Sequence, residues 1–177
     1  DWQRASDQRV LSPRNLRVRK RPAESVLSGV DVVVAIALRN QASSLGRCLQ
    51  SVLEQSMEAG RVLTLILNDR SEDPLESSLA PYEDQLNLMV IDGDCGSAAR
   101  TRNALLDFVD RELPRVRWVA RLDADDRFSE PRSLAAAVEL GERAQSKYVL
   151  GTNRLVDNGV VLDRVNVPSD RLRSRAG

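Results

Sequence analysis

Three carboxylates follow an apolar segment in the second half of the chain. Residues 116–128 begin as an apolar strand and then place Asp123, Asp125 and Asp126 within four positions. Carboxylates are hard oxygen ligands for Mg²⁺ or Mn²⁺, and phosphate oxygens can complete the coordination shell of either ion. Aspartate is also a common turn former and helix N-cap, so these three residues alone are weak support for a metal site.

Other polar residues follow the neighbouring predicted strands. They are Arg39 and Asn40 after the first strand, Asn68 and Asp69 after the second, and Arg100 and Arg102 after the third. Each has a local explanation as a cap, turn or surface residue, but independent turn residues have no reason to collect at one end of one sheet. Ligands of open α/β sheets bind at the carboxyl ends of the strands. Carboxylates and arginines at that end suit a divalent cation that bridges an anionic ligand such as a diphosphate.

The elements that would carry these residues alternate along the chain. Strands are predicted over residues 30–38, 61–68, 86–92 and 115–123, and helices over residues 42–56, 98–113 and 131–144. This alternation predicts an α/β fold with a doubly wound, mostly parallel sheet. Ser43 or Ser44 is the candidate N-cap of the first helix. Asn158 and Gly159, between two β-rich runs, predict a C-terminal β-hairpin that extends or flanks the sheet.

The composition argues against several classes of function. The 177 residues include no histidine, which removes the Ser-His-Asp triad and leaves no histidine to join the two cysteines in a zinc site. The chain has neither a G-x-x-x-x-G-K-[ST] loop nor a G-x-G-x-x-G turn after the first strand, which argues against an ATPase and against hydride chemistry. Because 26 basic residues balance 26 acidic ones, we expect no nucleic-acid partner.

Length and charge distribution predict one domain between two basic tails. A chain of ~100–200 residues can bury a substantial core. We place a basic N-terminal tail at residues 1–28, the domain at 29–167 and a basic C-terminal tail at 168–177. The tails are expected to be solvated, with a weak contact to an anionic membrane as the alternative.

The cysteines and the absence of a signal-peptide pattern predict a cytoplasmic location. Cys48 and Cys95 have no paired spacing and are expected to be free thiols in a reducing compartment. No run approaches the ~20 apolar residues of a membrane span. Because the chain begins at Asp1, we expect a fragment whose missing flanks could hold a targeting signal or a membrane segment.

From about residue 30 to about residue 167, these segments resemble the family 2 glycosyltransferases of the GT-A fold. VVVAIALRN followed by LGRCLQSVLEQS resembles the family's apolar strand, its Pro-Thr-Tyr-Asn-like turn and its Cys-Leu-x-Ser-Val-Leu-x-Gln helix. LILNDRSED is similar to the family's strand that ends in Asp-Asp-Gly-Ser, and ARTRNAL to its Ala-Arg-Asn helix start. WVARLDADDRF is similar to its Asp-x-Asp segment. The resemblance implies a nucleotide-sugar-binding half with a Rossmann-like sheet.

The resemblance also implies roles for individual residues in the nucleotide pocket. The residues expected to line that pocket are Ala37, Leu38, Arg39 and Asn40. Asp69 would hydrogen-bond the base. Arg102 would lie near the nucleotide, with Arg100 as the alternative.

The resemblance implies different roles for the individual residues of the Asp-x-Asp segment. Asp125 would be the principal ligand of Mn²⁺ or Mg²⁺ on the diphosphate, and Asp123 would contact the ribose or the water shell of the metal. Ala124 between them would belong to the same nucleotide-sugar site. Asp126 would cap or support the following helix.

The sequence departs from the family pattern at several positions. Where the family has Pro-Thr-Tyr, this chain has residues 37–39, so the arginine plane of Arg39 would replace an aromatic face on the base. Asn68 replaces the first acidic residue of its pair, and Arg70 replaces glycine. The Glu-Asp pair that often contains the catalytic base is missing from the last fifty or so residues. These residues contain Asp157, Asp163 and Asp170 in hairpin or tail contexts, and no base is assigned.

These observations lead us to expect a metal-assisted glycosyltransferase. By resemblance, it would move a sugar from a nucleotide-diphosphate donor, with a UDP-sugar favoured, to an unspecified glycan, lipid or protein acceptor, and would invert the anomeric centre. One alternative is a catalytically inactive GT-A-like interaction module. The other is a sugar-phosphate nucleotidylyltransferase, which would need a glycine-rich turn after the first strand that ALRNQASS lacks.

Overall fold

The computed structural model describes residues 16–147, 149, 151, 153–157 and 160–165, the last two stretches by backbone alone. The strands are β1 (Arg17–Lys20), β2 (Val32–Leu38), β3 (Val62–Asp69), β4 (Leu88–Gly93), β5 (Trp118–Asp123), β6 (Asn153–Asp157) and β7 (Val160–Val165). The helices are α1 (Glu24–Leu27), α2 (Ala42–Leu53), α3 (Glu76–Leu79), α4 (Ala98–Glu112) and α5 (Ser133–Arg143). Short 3₁₀ turns lie at Ala59–Arg61 and Ala80–Tyr82.

Five of the strands form one sheet in the order β1-β4-β3-β2-β5. The pairs β4–β3, β3–β2 and β2–β5 are parallel, and β1 pairs antiparallel with β4. The chain runs outward from β2 to β3 and β4, and then crosses back to place β5 on the other side of β2. This is the strand order of a doubly wound Rossmann-like sheet. The predicted α/β fold with a mostly parallel sheet is therefore confirmed.

β2 lies inside the sheet and is covered on both faces. Val32, Val33, Val34 and Ile36 have no exposed surface. Valine and isoleucine fill a strand of this kind because they pack on the pleated surface from both sides. On one face, alternate residues of β2 and β3 join apolar residues of α4 in a continuous core; they include Val33, Ala35, Leu65, Ala104, Leu105, Phe108 and Val109. Strand β2 is thus held by hydrogen bonds to β3 and β5 and by apolar packing on its faces.

The edge strand β1 lies within residues 1–28, for which the charge pattern predicts a solvated tail. Arg17 pairs with Asp92 in the sheet register, and Lys20 forms an ion pair with Glu83. The tail prediction therefore does not hold for Arg17–Lys20, because their charges meet acidic partners that are distant in sequence. Basic side chains also suit an edge strand, since they discourage further strand pairing. Residues 1–15 and the predicted tail at 168–177 lie outside the described residues.

The N-terminus of α2 is capped from another part of the chain. The backbone N–H of Ala42 donates to Oδ2 of Asp73 at 2.7 Å, whereas the N-cap residue Gln41 makes no side-chain cap bond. Ser44 donates to the carbonyl of Gln41, so it caps nothing. The predicted capping by Ser43 or Ser44 is therefore wrong, because the helix begins at Ala42 and an acidic side chain from the β3–α3 connection takes the cap position.

The chain divides into two compact units between Ala136 and Ala137. The first unit holds the five-stranded sheet with α1 to α4, and the second holds β6 and β7. These two strands pair antiparallel in a sheet of their own. The residues on which the hairpin prediction rests, Asn158 and Gly159, lie outside the described residues.

Within the described part of the chain, no helix has the length and apolar character needed to cross a membrane.

We expect Asp73→Ala to lower the free energy of unfolding by about 1 kcal/mol, because it removes the side-chain acceptor at the N-terminus of α2. Urea denaturation would measure this change. Ser43→Ala is the matched control: Ser43 is exposed on the same turn, and its removal should change stability by less than about 0.5 kcal/mol. Equal effects of the two substitutions would contradict capping by Asp73.

Candidate functional site

The carboxyl ends of the parallel strands lie side by side at one end of the sheet, next to the point where the strand order reverses. In the sheet register Ala37 of β2 lies opposite Asp123 of β5, and Leu38 lies opposite Asn68 of β3. Asn68 in turn lies opposite Asp92 of β4. A crevice opens at such a reversal because the crossover connections on the two sides leave in opposite directions. In this sheet β2 and β5 are the two strands whose carboxyl ends flank that position.

Arg102 of α4 and Asp123 of β5 form a paired contact at this crevice. Nε of Arg102 donates to Oδ1 of Asp123 at 3.1 Å, and Nη2 donates to Oδ2 at 2.5 Å. The hydrogen bonds to Asp123, followed by the negative charge of the same carboxylate, raise the pKa of Arg102, and the charges of Asp125 and Asp126 add to this. About a third of each side chain is exposed, so the pair is accessible from solvent. Arg100, two residues earlier on α4, is exposed.

Asp125 and Asp126 extend beyond this pair into solvent. Both residues are exposed, and the N–H of Asp126 closes a turn onto the carbonyl of Asp123. Although the residue is exposed as a whole, partial burial of its carboxyl group, followed by repulsion from Asp125 and then Asp123, raises the pKa of Asp126, and Arg102 only partly offsets this. The loop therefore carries an excess of negative charge that a cation would relieve.

The donor chemistry of this loop fits a hard divalent cation held partly by a ligand. Among the described residues, no group of three or more histidine, cysteine, aspartate or glutamate side chains has the geometry to hold a metal ion. Mg²⁺ and ions like it are commonly bound by one or two carboxylates together with substrate phosphates. The exposed carboxylate of Asp125 matches that mode, because both oxygens of Asp123 already accept from Arg102.

Asp69 at the end of β3 is enclosed by protein donors. Only 2% of its surface is exposed, the N–H of Cys95 donates to Oδ1 at 2.6 Å, and the hydroxyl of Thr101 donates to Oδ2 at 3.0 Å. The carboxylate thus ties the loop after β4 to the first turn of α4. Ser97 caps that turn by accepting from the N–H of Arg100.

The turn after β2 is held by the turn after β3. The N–H of Asn40 donates to Oγ of Ser71 at 3.0 Å, and Oδ1 of Asn40 accepts from the N–H of Glu72 at 2.8 Å. Arg39 beside it is exposed, whereas Leu38 is 1% exposed. Leu38 therefore presents almost no surface to a ligand, and Ala124 presents none. Ala37 is partly buried.

Cys48 of α2 packs beneath the Asp-x-Asp segment. Its Sγ lies 3.7 Å from the carbonyl oxygen of Asp123, and the residue has no exposed surface. Burial, followed by the charges of Asp126, Asp125 and Asp123, raises the pKa of this thiol to about 12. The thiol is therefore neutral at physiological pH and serves as packing.

The sequence patterns did not single out several residues that organise this edge: Arg19, Ser71, Asp92 and Thr101. Asp92 could have been found, since it ends the predicted third strand at the same edge of the sheet. Arg19 and Ser71 carry no comparable signal, because their contacts depend on chain segments far away in sequence.

A comparison with protein families shows the family of this chain. The family described as "Glycosyl transferase family 2" matches residues 33–173, which is most of the chain. The chain belongs to glycosyltransferase family 2. Its five-stranded sheet is that of the GT-A fold. A comparison with curated protein sequences finds no match for this family 2 chain.

Solved structures share this fold. TarS residues 1–349 from S. aureus in complex with UDP-GlcNAc is 20% identical, with a TM-score of 0.57, over 65% of this chain and 32% of that chain. The mannosyltransferase PcManGT from Pyrobaculum calidifontis, in complex with GDP-Man and Mn²⁺, is also 20% identical, with a TM-score of 0.55, over 70% of this chain and 33% of that one. The family 2 chain thus spans about a third of the length of these structures.

The backbone at Arg70 allows a test of the turn after β3. Arg70 has φ +52, the left-handed region that favours the glycine found at this position in the family pattern. We expect Arg70→Gly to be more stable than Arg70→Ala by about 1 kcal/mol, because an added Cβ is strained in this conformation. Both substitutions remove the exposed Arg70–Asp94 ion pair, so their difference isolates the backbone. Urea denaturation that ranks Arg70→Ala as equal or better would contradict this reading.

The raised pKa of Cys48 predicts a loss of stability at alkaline pH. A thiol in the unfolded chain ionises near pH 9, whereas burial raises the pKa of Cys48 to about 12 in the folded protein. The stabilisation is complete below pH 9 and is lost as the pH rises toward 12, since the unfolded state releases its proton first. The free energy of unfolding of the wild type should therefore fall more steeply than that of Cys48→Ala over this range. Parallel pH profiles would show that the thiol is not protected.

Proposed function

We propose that the intact protein transfers a sugar from a nucleotide-diphosphate donor to an acceptor, with a divalent metal ion on the diphosphate. The observation that carries this proposal is the arrangement at the strand reversal, where Arg102 pairs with Asp123 and leaves Asp125 exposed beside them. A paired carboxylate, an adjacent free carboxylate and an arginine suit a ligand that carries both a polar sugar and a charged diphosphate.

In this proposal the Asp-x-Asp segment divides its contacts between metal and sugar. Asp125 is the direct ligand of Mn²⁺ or Mg²⁺, and Asp123 contacts the ribose or the water shell of the metal, oriented by Arg102. The metal supplies charge neutralisation for a diphosphate leaving group. Asp126 supports the loop, where its carboxylate adds to the field that attracts a cation.

The base of the donor nucleotide is proposed to lie over the turn after β2. Ala37 and Asn40 would form the floor beside the buried Leu38, and the exposed guanidinium of Arg39 would lie against the base in place of an aromatic ring. Asp69 would reach the base through its remaining acceptor sites, since each oxygen already accepts from one protein donor. Arg100 stays the alternative to Arg102 for a contact near the nucleotide.

The donor is proposed to be a UDP-sugar, and support comes from likeness alone. One similar structure, TarS from S. aureus, is described with UDP-GlcNAc, and another, a mannosyltransferase, with GDP-Man and Mn²⁺. The acceptor would be a glycan, lipid or protein, bound by parts of the enzyme that correspond to the unmatched two thirds of such structures. Direct displacement with inversion would need a general base that removes the proton of the acceptor hydroxyl, and none is assigned in this chain.

Calorimetric titration tests this proposal. UDP, GDP and CDP would each be added to the protein with Mn²⁺ and again with EDTA. We expect one nucleotide to bind in Mn²⁺, and Asp125→Ala to weaken that binding by at least about tenfold, to the level seen in EDTA, because a principal metal ligand is lost.

Asp84→Ala is the matched control, since it removes an exposed carboxylate from a loop away from the crevice and should leave the affinity unchanged. If no nucleotide binds to the folded wild-type protein, the donor site is not functional and an interaction module becomes the better explanation. Binding that is equal with and without metal would reject the role of Asp125.

A further inference from the structure

A continuous chain of hydrogen bonds runs from the edge strand β1 to the turn after β2. Arg19 donates to both oxygens of Asp92, at 2.9 Å from Nε and 2.7 Å from Nη2. Asp92 also accepts from Nδ2 of Asn68 at 3.0 Å. Asn68 in turn accepts, through Oδ1, from the N–H of Ser71 at 3.1 Å. Ser71 accepts from the N–H of Asn40, so the chain ends at the proposed floor of the nucleotide pocket.

The backbone of β1 is irregular at the residue that starts this chain. The register of β1 on β4 shifts between Val18 and Lys20, which leaves Arg19 as the extra residue of a β-bulge. A bulge of this kind redirects a side chain and is common beside functional sites. Here the redirected side chain is that of Arg19, which donates two hydrogen bonds to Asp92. It also donates to Glu76 at 3.2 Å.

The other end of the chain holds two residues in an uncommon conformation. Asn40 and Arg70 both have φ +52, and both lie in turns that this hydrogen-bond chain joins. Residues in the left-handed region persist where the surrounding structure determines them, and they cluster at ligand sites. Hydrogen bonds with Ser71 and Glu72 hold Asn40 in this conformation. A hydrogen bond to the side-chain amide of Asn68 holds the turn that contains Arg70.

The chemistry at position 68 depends on the residue at position 92. Asn68 is 6% exposed, and its amide donates to a carboxylate on one side and accepts from a backbone N–H on the other. Burial tends to raise the pKa of Asp92, but the hydrogen bonds from Arg19 and Asn68 outweigh it and lower that pKa, so Asp92 is an ionised acceptor. A second carboxylate at position 68 would offer no donor and would repel Asp92. This explains the amide where the family pattern has an acidic residue.

We propose that Arg19, Asp92 and Asn68 are positioning residues of the nucleotide site, and that they hold the turns at Asn40 and Ser71 in their binding geometry. The inference rests on the proposed function and extends it to β1, which is separated from β5 by three other strands of the sheet. None of the three residues needs to contact the nucleotide. Loss of any one of them should loosen both turns. The apolar core should remain intact, because none of the three residues belongs to it.

The test compares UDP affinity in Mn²⁺ with the stability of each variant. Asn68→Asp and Arg19→Ala should each weaken binding by roughly 3- to 30-fold, since coupling through such networks is modest. The exchanged pair N68D/D92N keeps the net charge and restores one donor between the two positions. It should recover part of the affinity that Asn68→Asp loses, because an amide at position 92 restores the donor to position 68 but keeps only one acceptor for Arg19. A role confined to folding would not produce recovery of affinity at unchanged stability.

Lys20→Ala is the matched control for Arg19→Ala, because Lys20 lies on the same strand and pairs with Glu83 outside the chain of hydrogen bonds. It should leave affinity unchanged. Amide hydrogen exchange gives a second readout: the N–H groups of Asn40, Ser71 and Glu72 should exchange faster in Asn68→Asp, while those of β2 stay protected.

The outcomes separate the two proposals. Wild-type affinity and wild-type exchange in the folded Asn68→Asp and Arg19→Ala variants would overturn the positioning role and leave the donor site intact. No binding by the folded wild-type protein would overturn the proposed function and this inference with it. Failure of N68D/D92N to recover affinity, when the variant is as stable as the wild type, would overturn the dependence of position 68 on position 92.

Discussion

The pairing of β2 with both β3 and β5 determines where every candidate site residue lies. Because β2 is central, its end meets Asn68 on one side and Asp123 on the other. The right-handed crossovers that leave from the two sides pass over opposite faces of the sheet. The crevice between β2 and β5 is therefore a consequence of strand order, and the burial of Val32, Val33, Val34 and Ile36 keeps that order in place.

The two sides of this crevice differ in how many of their polar side chains are hydrogen-bonded to other protein groups. On the β3 side, Asp69, Asn40 and Asn68 each have protein partners for their polar atoms, and two turns are joined as one unit. A surface organised in this way loses little conformational entropy when a ligand binds. On the β5 side, Asp125 and Asp126 remain exposed and repel each other. Binding there would gain from charge neutralisation, which is the contribution expected of a cation with a diphosphate.

Local sequence patterns identified the strands and helices whose formation depends on residues close together in sequence. The apolar runs located β2 to β5, and helical periodicity located α2, α4 and α5, with ends that differ by a few residues. They missed the strand at Arg17–Lys20, because four residues rich in arginine carry no apolar signal and become a strand only by pairing with β4. They also gave α2 the wrong cap, since Asp73 is thirty-one positions away from Ala42 in sequence. Both errors come from partners that no local window contains.

The sequence by itself determined the fold class, the family and the presence of carboxylates and arginines at the ends of parallel strands. It could do so because strand period, helix period and strand-end chemistry are properties of short segments. Only the tertiary structure decided how those side chains are used. It paired Arg102 with Asp123, enclosed Asp69 between Cys95 and Thr101, and joined Arg19 to Asp92 through a bulge. Hydrogen bonds between side chains depend on distances and directions that the chain acquires only when remote segments have packed together.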